Sequence, residues 1–421
     1  MELRNKKYDL LVITSEDHYD GEDCHGTVQI YKFLKEKVKI DCALICTRQK
    51  IFQDIKDSYL IDDYKQLPKH NKILVSDYHD LPFHIAQRLI EKNNSMIYYC
   101  GLVHNMYTAG CSYPQEMECD KYMYSHGCYN CKYAATVNKH NGERYDTHME
   151  KGPIMWKFLK QFYADKNNRK NIVYLPVSSF SKNQAKKSFL FKNIKSYTVP
   201  LSNTSPCVED ISDLISHRDR QKKIFIESFI GRNEKIKNMK NLCVWNALDA
   251  RIERKGFSSF IDILHLLKNK YMTEDEFDKT IFAVLGHPEA YEEAVKALPD
   301  NTNIFLTGVI GLPMINHLYS AASLYCCTTY EDAGPRTIGE AASNGCPIIS
   351  YNTCVATDLV SNKSGKIIAL KDVDNYAKSI YNILNLEKKQ HDDMCIESYK
   401  SYNDFYGEEK AIKLWREALN K

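Results

Sequence analysis

Long apolar runs are missing from this chain. None approaches the ~18 residues of a membrane-crossing helix. The first apolar stretch, Leu10 to Ile13, is too short for the core of an export signal and is followed by acidic residues. A strong field of either sign is also missing. The 57 basic residues stand against 54 acidic ones, a formal net charge of +3, so the chain lacks the general grip of a nucleic-acid or membrane-surface binder and keeps only local basic patches. Nor is there a paired disulfide framework. The 15 cysteines are odd in number and scattered through strand-like runs such as Cys42 to Cys46, Cys326 with Cys327, and Cys346, which points to reduced thiols in a cytoplasmic compartment. The expectation is a soluble protein, at most peripheral to a membrane.

What is present is enough apolar material, 43% of 421 residues, for two α/β domains. In the first half, strands are expected at Tyr8 to Thr14, Asp41 to Cys46, Lys72 to Ser76, Ser95 to Val103 and Asn171 to Val177, with helices at Thr27 to Lys37, His84 to Lys92 and Pro153 to Asn168. This alternation predicts parallel pairing with crossover helices. Residues 1–205 form the first expected domain, 206–240 a linker region in which the pattern weakens, and 241–421 the second. The loop from Asp17 to Gly26 lies between the first strand and its helix, where glycine allows backbone to approach a ligand. Gly26 is the candidate there.

The second half turns on the stretch Thr328 to Tyr351, which reads as strand end, turn, short helix (Thr337 to Ser343) and strand. The loop after such a strand and the first turn of the helix lie at the carboxyl edge of a parallel sheet, where open α/β folds bind ligands. Free N–H groups of Arg336, Thr337 and Ile338, with the positive end of the helix dipole, suit a phosphate or diphosphate. Asp332 precedes the Gly334-Pro335 turn and Glu340 follows eight residues later, about two helical turns on. Such a pair could hold a sugar hydroxyl and a ribose diol on either side of a diphosphate; equally, Asp332 could cap the helix and Glu340 sit on its surface. Basic residues Arg251, Arg254 and Lys255, after the strand expected at Asn241 to Ala247, would meet a diphosphate at the same edge.

The string Glu331, Asp332, Pro335, Thr337, Glu340, Ala341, Gly345, Pro347 and Ile348 resembles the signature of the retaining glycosyltransferases of family four. That resemblance implies the GT-B fold: two Rossmann-like, doubly wound α/β domains facing across a cleft, with the last helix crossing back to the first domain. It implies a nucleotide-sugar donor, with uridine as the base, on the second domain. Asp332 or Glu331 would contact the sugar, Glu340 the ribose, and Lys255, in Arg254-Lys255-Gly256-Phe257, the diphosphate. Arg251 or Arg254 would stand in for a second basic residue. His104 would contact the transferred sugar, and no catalytic metal is needed.

Between His104 and Asp146 lies an insertion containing Cys111, Cys119, Cys128 and Cys131. The short Cys128 to Cys131 knuckle favours tetrahedral metal binding, and a structural zinc would staple a segment too polar to build a core; free thiols or oxidation-dependent disulfides are the other readings. His104 to Cys111, with Gly127, Cys128 and Cys131, further resembles the branch of colanic-acid-type polysaccharide transferases, in which these cysteines travel together. Three readings of function follow. One is transfer to a glycan or polysaccharide. Another is transfer to a hydroxylated base of viral DNA, with Lys32, Lys35, Lys37, Arg48 and Lys50 as a basic rim. The last is a nucleotide-sugar sensor without transfer, against which the joint presence of Lys255 and Glu340 speaks.

Overall fold

The computed structural model describes residues 6–15, 26–47, 55, 57–77, 80–109, 111, 152–201, 208–229, 239–300 and 302–420. The chain divides into two compact units, Met1–Asn203 with Glu408–Lys421, and Thr204–Gly407.

The described residues of unit 1 form seven strands: β1 (Leu10–Thr14), β2 (Cys42–Cys46), β3 (Ser58–Leu60), β4 (Lys72–Val75), β5 (Met96–Gly101), β6 (Ile172–Pro176) and β7 (Lys195–Ser196). They form one sheet in the order β3-β2-β1-β4-β5-β6-β7, and every pairing is parallel. The runs LLVIT and CALIC are buried at every position because helices cover both faces, which is why they read as continuous apolar stretches rather than alternating ones. The helices are α1 (Gly26–Phe33), α2 (Phe83–Asn93), α3 (Gly152–Ala164), α4 (Lys166–Lys170) and α5 (Ser179–Lys187). Helix α3 is held by aromatic packing: the buried Phe162 and Tyr163 pack on Phe83 of α2, with ring centroids 5.6 and 6.2 Å away.

Unit 2 holds β8 (Asn241–Asn246), β9 (Thr280–Leu285), β10 (Asn303–Gly308), β11 (Leu324–Cys327), β12 (Ile348–Tyr351) and β13 (Gly365–Ile368). Their order is β10-β9-β8-β11-β12-β13, again wholly parallel. Around them lie α6 (Leu214–Phe229), α7 (Phe257–Leu266), α8 (Glu274–Asp278), α9 (Glu292–Val295), α10 (Leu312–Ala321), α11 (Arg336–Ser343), α12 (Ala356–Leu359), α13 (Val373–Leu384) and α14 (Lys388–Tyr406). Trp245 of β8 anchors the core, with Phe257 at 4.8 Å and Phe260 at 6.0 Å between ring centroids.

In each sheet the chain starts in the middle, winds outward one way, then returns and winds the other. The strand order therefore reverses between β1 and β4 in unit 1 and between β8 and β11 in unit 2. Loops leaving the carboxyl ends of two such strands diverge to opposite faces and open a crevice, the switch point at which these folds take ligands.

The final helix, α15 (Glu408–Leu419), clusters with unit 1. Trp415 Nε1 donates to Pro200 O at 3.0 Å and Arg416 Nη2 to Val38 O at 3.1 Å. The carbonyl of Leu419 accepts from Lys72 Nζ (2.5 Å) and Tyr98 OH (3.0 Å).

The stretch 206–240 departs from the expected linker. Residues 214–229 are α6, an integral helix of unit 2. Its Arg218 is buried and donates to three carbonyls: Tyr319 O (3.1 Å) and Ala322 O (2.5 Å) at the end of α10, and Asn344 O (2.7 Å) at the end of α11. One guanidinium thereby satisfies the orphan carbonyls of two helix C-termini, where a cation is also favoured by the dipole.

Candidate functional site

The switch point of unit 2 is built from the loop after β8, which carries Arg251, Arg254, Lys255 and Gly256, and the loop after β11, which carries Thr328 to Pro335 and leads into α11. The two loops are stitched together. Thr328 Oγ1 donates to Gly256 O (2.8 Å) and accepts from Trp245 Nε1 (2.8 Å), while Tyr330 N donates to Arg254 O (2.7 Å). The contact is so close that a Cβ on Gly256 would lie 2.0 Å from Thr328 O, and Gly256 also has φ +73°. Only glycine meets both demands. Gly256→Ala is therefore expected to destabilise unit 2 by roughly 2 kcal/mol or more, measured by denaturant unfolding.

Across this seam Asp332 Oδ2 accepts from Lys255 Nζ at 2.7 Å and from Arg254 Nη1 at 3.1 Å, and Arg254 Nη1 also reaches Glu331 O at 3.3 Å. The second oxygen, Oδ1, accepts from Gly334 N (3.3 Å), fixing the turn before α11. The three side chains are 10% (Arg254), 20% (Lys255) and 14% (Asp332) exposed, so their charges meet in a largely desolvated place. Burial alone would push the Asp332 carboxyl up. The charges of Lys255 and Arg254, with the Lys255 hydrogen bond and the Gly334 N–H, overcome it and hold the carboxyl well below the usual carboxylate range.

Helix α11 begins at Arg336 after Pro335, with no side chain capping its first turn. Of the three N–H groups expected to be free, that of Ile338 donates to Pro335 O at 3.3 Å, and the helix dipole adds positive potential at this start. Thr337 accepts at Oγ1 from the Tyr325 hydroxyl (2.7 Å), which pins the helix start to β11. Glu340 is buried on α11, not a surface residue. Its charge reaches Tyr319 of α10: burial first, then this carboxylate, pushes the Tyr319 hydroxyl well above its ordinary value. Tyr319 OH accepts from Asn246 Nδ2 (3.1 Å) at the end of β8.

The structure thus brings Arg254, Lys255, Glu331, Asp332, Gly334, Pro335, Arg336 and Thr337 onto two adjoining loops and one helix start, with Glu340 about one turn into α11. Arg251 is not brought in. Its guanidinium forks onto Asp249, Nη2 to Oδ2 at 2.7 Å, on the exposed side of the same loop. Of the two possible partners for Lys255, Arg254 is the one that joins it. Sequence reasoning passed over Thr328, Tyr319 and Asn246. The available signal was a polar residue directly at the end of β8 and of β11.

His104 belongs to unit 1, on the loop after β5. It is buried, and its Nδ1 is hydrogen-bonded to the Tyr107 hydroxyl. Its neighbour Asn105 donates to Asp77 Oδ2 at 2.8 Å. At the unit 1 switch point the buried Asp80, also unremarked in the sequence, ties two loops together. Oδ1 accepts from Ser15 N (2.6 Å) and Ser15 Oγ (2.8 Å) after β1, and Oδ2 from Asp77 N (3.0 Å) after β4. Gly26 starts α1 against Leu102, whose Cδ1 would lie 2.7 Å from an added Cβ, so packing alone accounts for a small residue there. Of the four insertion cysteines only Cys111 lies among the described residues; its carbonyl accepts from Thr108 Oγ1 at 2.8 Å. Cys119, Cys128 and Cys131 lie outside the described residues. Among the described residues no cluster of His, Cys, Asp and Glu could hold a metal, and no helix is long and apolar enough to cross a membrane.

Comparison with known proteins agrees with this geometry. Residues 228–400 match the family model of the group 1 glycosyl transferases. A poly(glycerol-phosphate) alpha-glucosyltransferase of Bacillus subtilis (strain 168) is 23% identical over 169 residues, 39% of this chain and 24% of that protein; the chain spans about a quarter of the length of this curated relative. Solved structures match along nearly the whole chain. A glycosyltransferase from Rickettsia africae ESF-5 has a TM-score of 0.64 at 13% identity, covering 98% of each chain. Sucrose-phosphate synthase from Thermosynechococcus elongatus has 0.62 at 10%, covering 99% of this chain and 100% of that one. Anabaena HepE, in complex with UDP and glucose, has 0.61 at 10%, covering 98% and 99%. The two units therefore make up a GT-B fold, and through unit 2 the chain is related to the group 1 glycosyl transferases.

Proposed function

We propose that this chain is a retaining glycosyltransferase that takes a sugar from a nucleoside diphosphate sugar, with UDP as the nucleotide, and passes it to a glycan or polysaccharide. The observation that carries this reading is the seam at the unit 2 switch point. There two cations, Arg254 and Lys255, share one carboxylate, Asp332, beside an uncapped helix start. Two cations that converge beside a helix start in a largely desolvated place suit a diphosphate, and above all a departing one.

As the sugar–phosphate bond breaks, negative charge grows on the diphosphate. Lys255, Arg254 and the N–H groups of Arg336 and Thr337 stabilise it without reorganising. Asp332 holds the two cations in place and offers its carboxylate edge to a sugar hydroxyl, with Glu331 contributing its backbone carbonyl to Arg254. Glu340 accepts the hydroxyls of the ribose. His104, in the other unit, is assigned to contact the transferred sugar. HepE was solved with UDP and glucose, and the Bacillus relative glucosylates a poly(glycerol-phosphate); both fit a UDP-sugar donor and a polymeric acceptor. A polysaccharide acceptor of the colanic-acid type remains the finer form of this reading, supported by the insertion motif.

The DNA reading loses part of its basic rim, because Lys35 is engaged by Asp57 at 2.6 Å and Lys37 by Glu408 at 2.8 Å.

The test is Glu340→Gln, which keeps volume and removes the charge. Turnover of a UDP-sugar should fall about 10- to 100-fold, with the melting temperature little changed. Full activity in that variant would refute the assigned donor site. Mass measurement of products after incubation with a panel of nucleotide sugars, and either lipid-linked glycan or hydroxymethylated DNA, identifies the acceptor.

A further inference from the structure

A second polar cavity lies at the other edge of the unit 2 sheet. It has a volume of about 310 Å³ and is lined in part by Asn241 at the start of β8, Ser323 just before β11, and residues of α6 and α14. The six residues of β8 separate it from the donor loops by about 20 Å.

Its charges do not balance. Arg218, Lys222, Lys240 and Lys388 line it against two carboxylates, Asp219 and Asp392. Both carboxylates are held by Lys388, each at 3.1 Å. Arg218 donates to three neutral carbonyls. Lys222 is half-buried, donates to Ser323 Oγ at 3.3 Å, and makes no ion pair among the described residues. Burial and then the neighbouring Arg218 lower the Lys222 pKa, as befits a cation lacking a counter-ion. The remaining pair is self-contained. Cys395 Sγ lies 3.6 Å from His391 Nδ1, while His391 Nε2 is bonded to Ser323 O at 2.8 Å. Burial opposes both charges, yet Arg218 and His391 draw the Cys395 thiol below its usual value. Whichever of the two holds the shared proton, that pair adds no net charge.

We propose that this cavity binds a small phosphorylated ligand, a phosphomonoester dianion, with Lys222 as its principal contact. Four cations against two carboxylates leave two positive charges, which a phosphomonoester near neutral pH matches. The volume lies at the lower end of the range for small-ligand sites. This goes beyond the donor reading and does not depend on it, since the loops involved are different.

The test uses the full chain and inorganic phosphate as the probe, at constant ionic strength with chloride as the control. The wild type should show a saturable rise in melting temperature. Lys222→Met should bind phosphate at least about tenfold more weakly, and saturable binding at this cavity should persist in Lys255→Met, which weakens only phosphate held on the donor loops. An equal response in Lys222→Met, or a response lost only in Lys255→Met, would overturn the proposal, the latter by placing the anion on the donor loops. Should Lys222→Met fail to fold, alkylation of Cys395 by iodoacetamide, followed by peptide mass, decides. Phosphate should slow it in the wild type, and an unchanged rate would count against the site.

Discussion

Lys255→Met should lower turnover of the nucleotide sugar by about 10²–10³-fold, mostly in kcat. Methionine keeps the length and apolar stem of lysine but removes the ammonium. Lys255 Nζ lies 2.7 Å from Asp332 and is only 20% exposed, so its charge acts through little water. A preorganised cation in such a place stabilises the charge that develops on a leaving diphosphate more than the charge of the bound donor, which is why kcat rather than KM carries the effect. Arg254 remains in the variant, and partial neutralisation by one guanidinium accounts for activity that persists. Steady-state kinetics with saturating acceptor checks this. A change confined to KM would mean that Lys255 only binds.

The second large effect is on stability. Asp332→Asn leaves Arg254 and Lys255 without their shared carboxylate, both of them mostly buried. Removing one partner of a buried charged cluster strands the others, and the expected cost is about 3 kcal/mol at neutral pH. The pH dependence follows from the sign of the shift. In the wild type the Asp332 carboxyl is held below its usual range, so its contribution is complete above the unfolded carboxylate pKa of about 3.9 and is lost as pH falls through the folded value. The stability gap between wild type and Asp332→Asn should therefore be constant from neutral pH to about pH 5 and narrow below about pH 4. Denaturant unfolding over that range measures it; a gap that stays constant into strong acid would show that charge pairing is not the cause.

Much of this was legible in the sequence, for identifiable reasons. Strands buried on both faces announce themselves as apolar runs, so β1, β2, β6 and β8 were found to within a residue or two. The seam was legible because Asp332, Gly334 and Pro335 lie within four residues, and because Lys255 is followed by the glycine that its close approach to Thr328 requires. Helix α6 was missed because its inward stripe includes His217 and Arg218 beside Leu214 and Phe225. A buried arginine looks like a solvated one until the three carbonyls that receive it are in view. Helix α14 hid in the same way: its inner face is Cys395, Ser398, Tyr399, Tyr402 and Tyr406, regular in spacing but not plainly apolar. The strand β3 is half-exposed at the edge of its sheet and too short for its period to show. The pairing of Arg251 with Asp249 is a choice between nearby acids that only side-chain geometry makes.

The most direct measurement is a crystal structure of the full chain with UDP bound. The diphosphate should lie within hydrogen-bonding distance of Lys255 Nζ and of the first N–H groups of α11, with the ribose hydroxyls on Glu340. Nucleotide seated elsewhere, with the bond between Lys255 and Asp332 undisturbed and no contact to that helix start, would contradict the account.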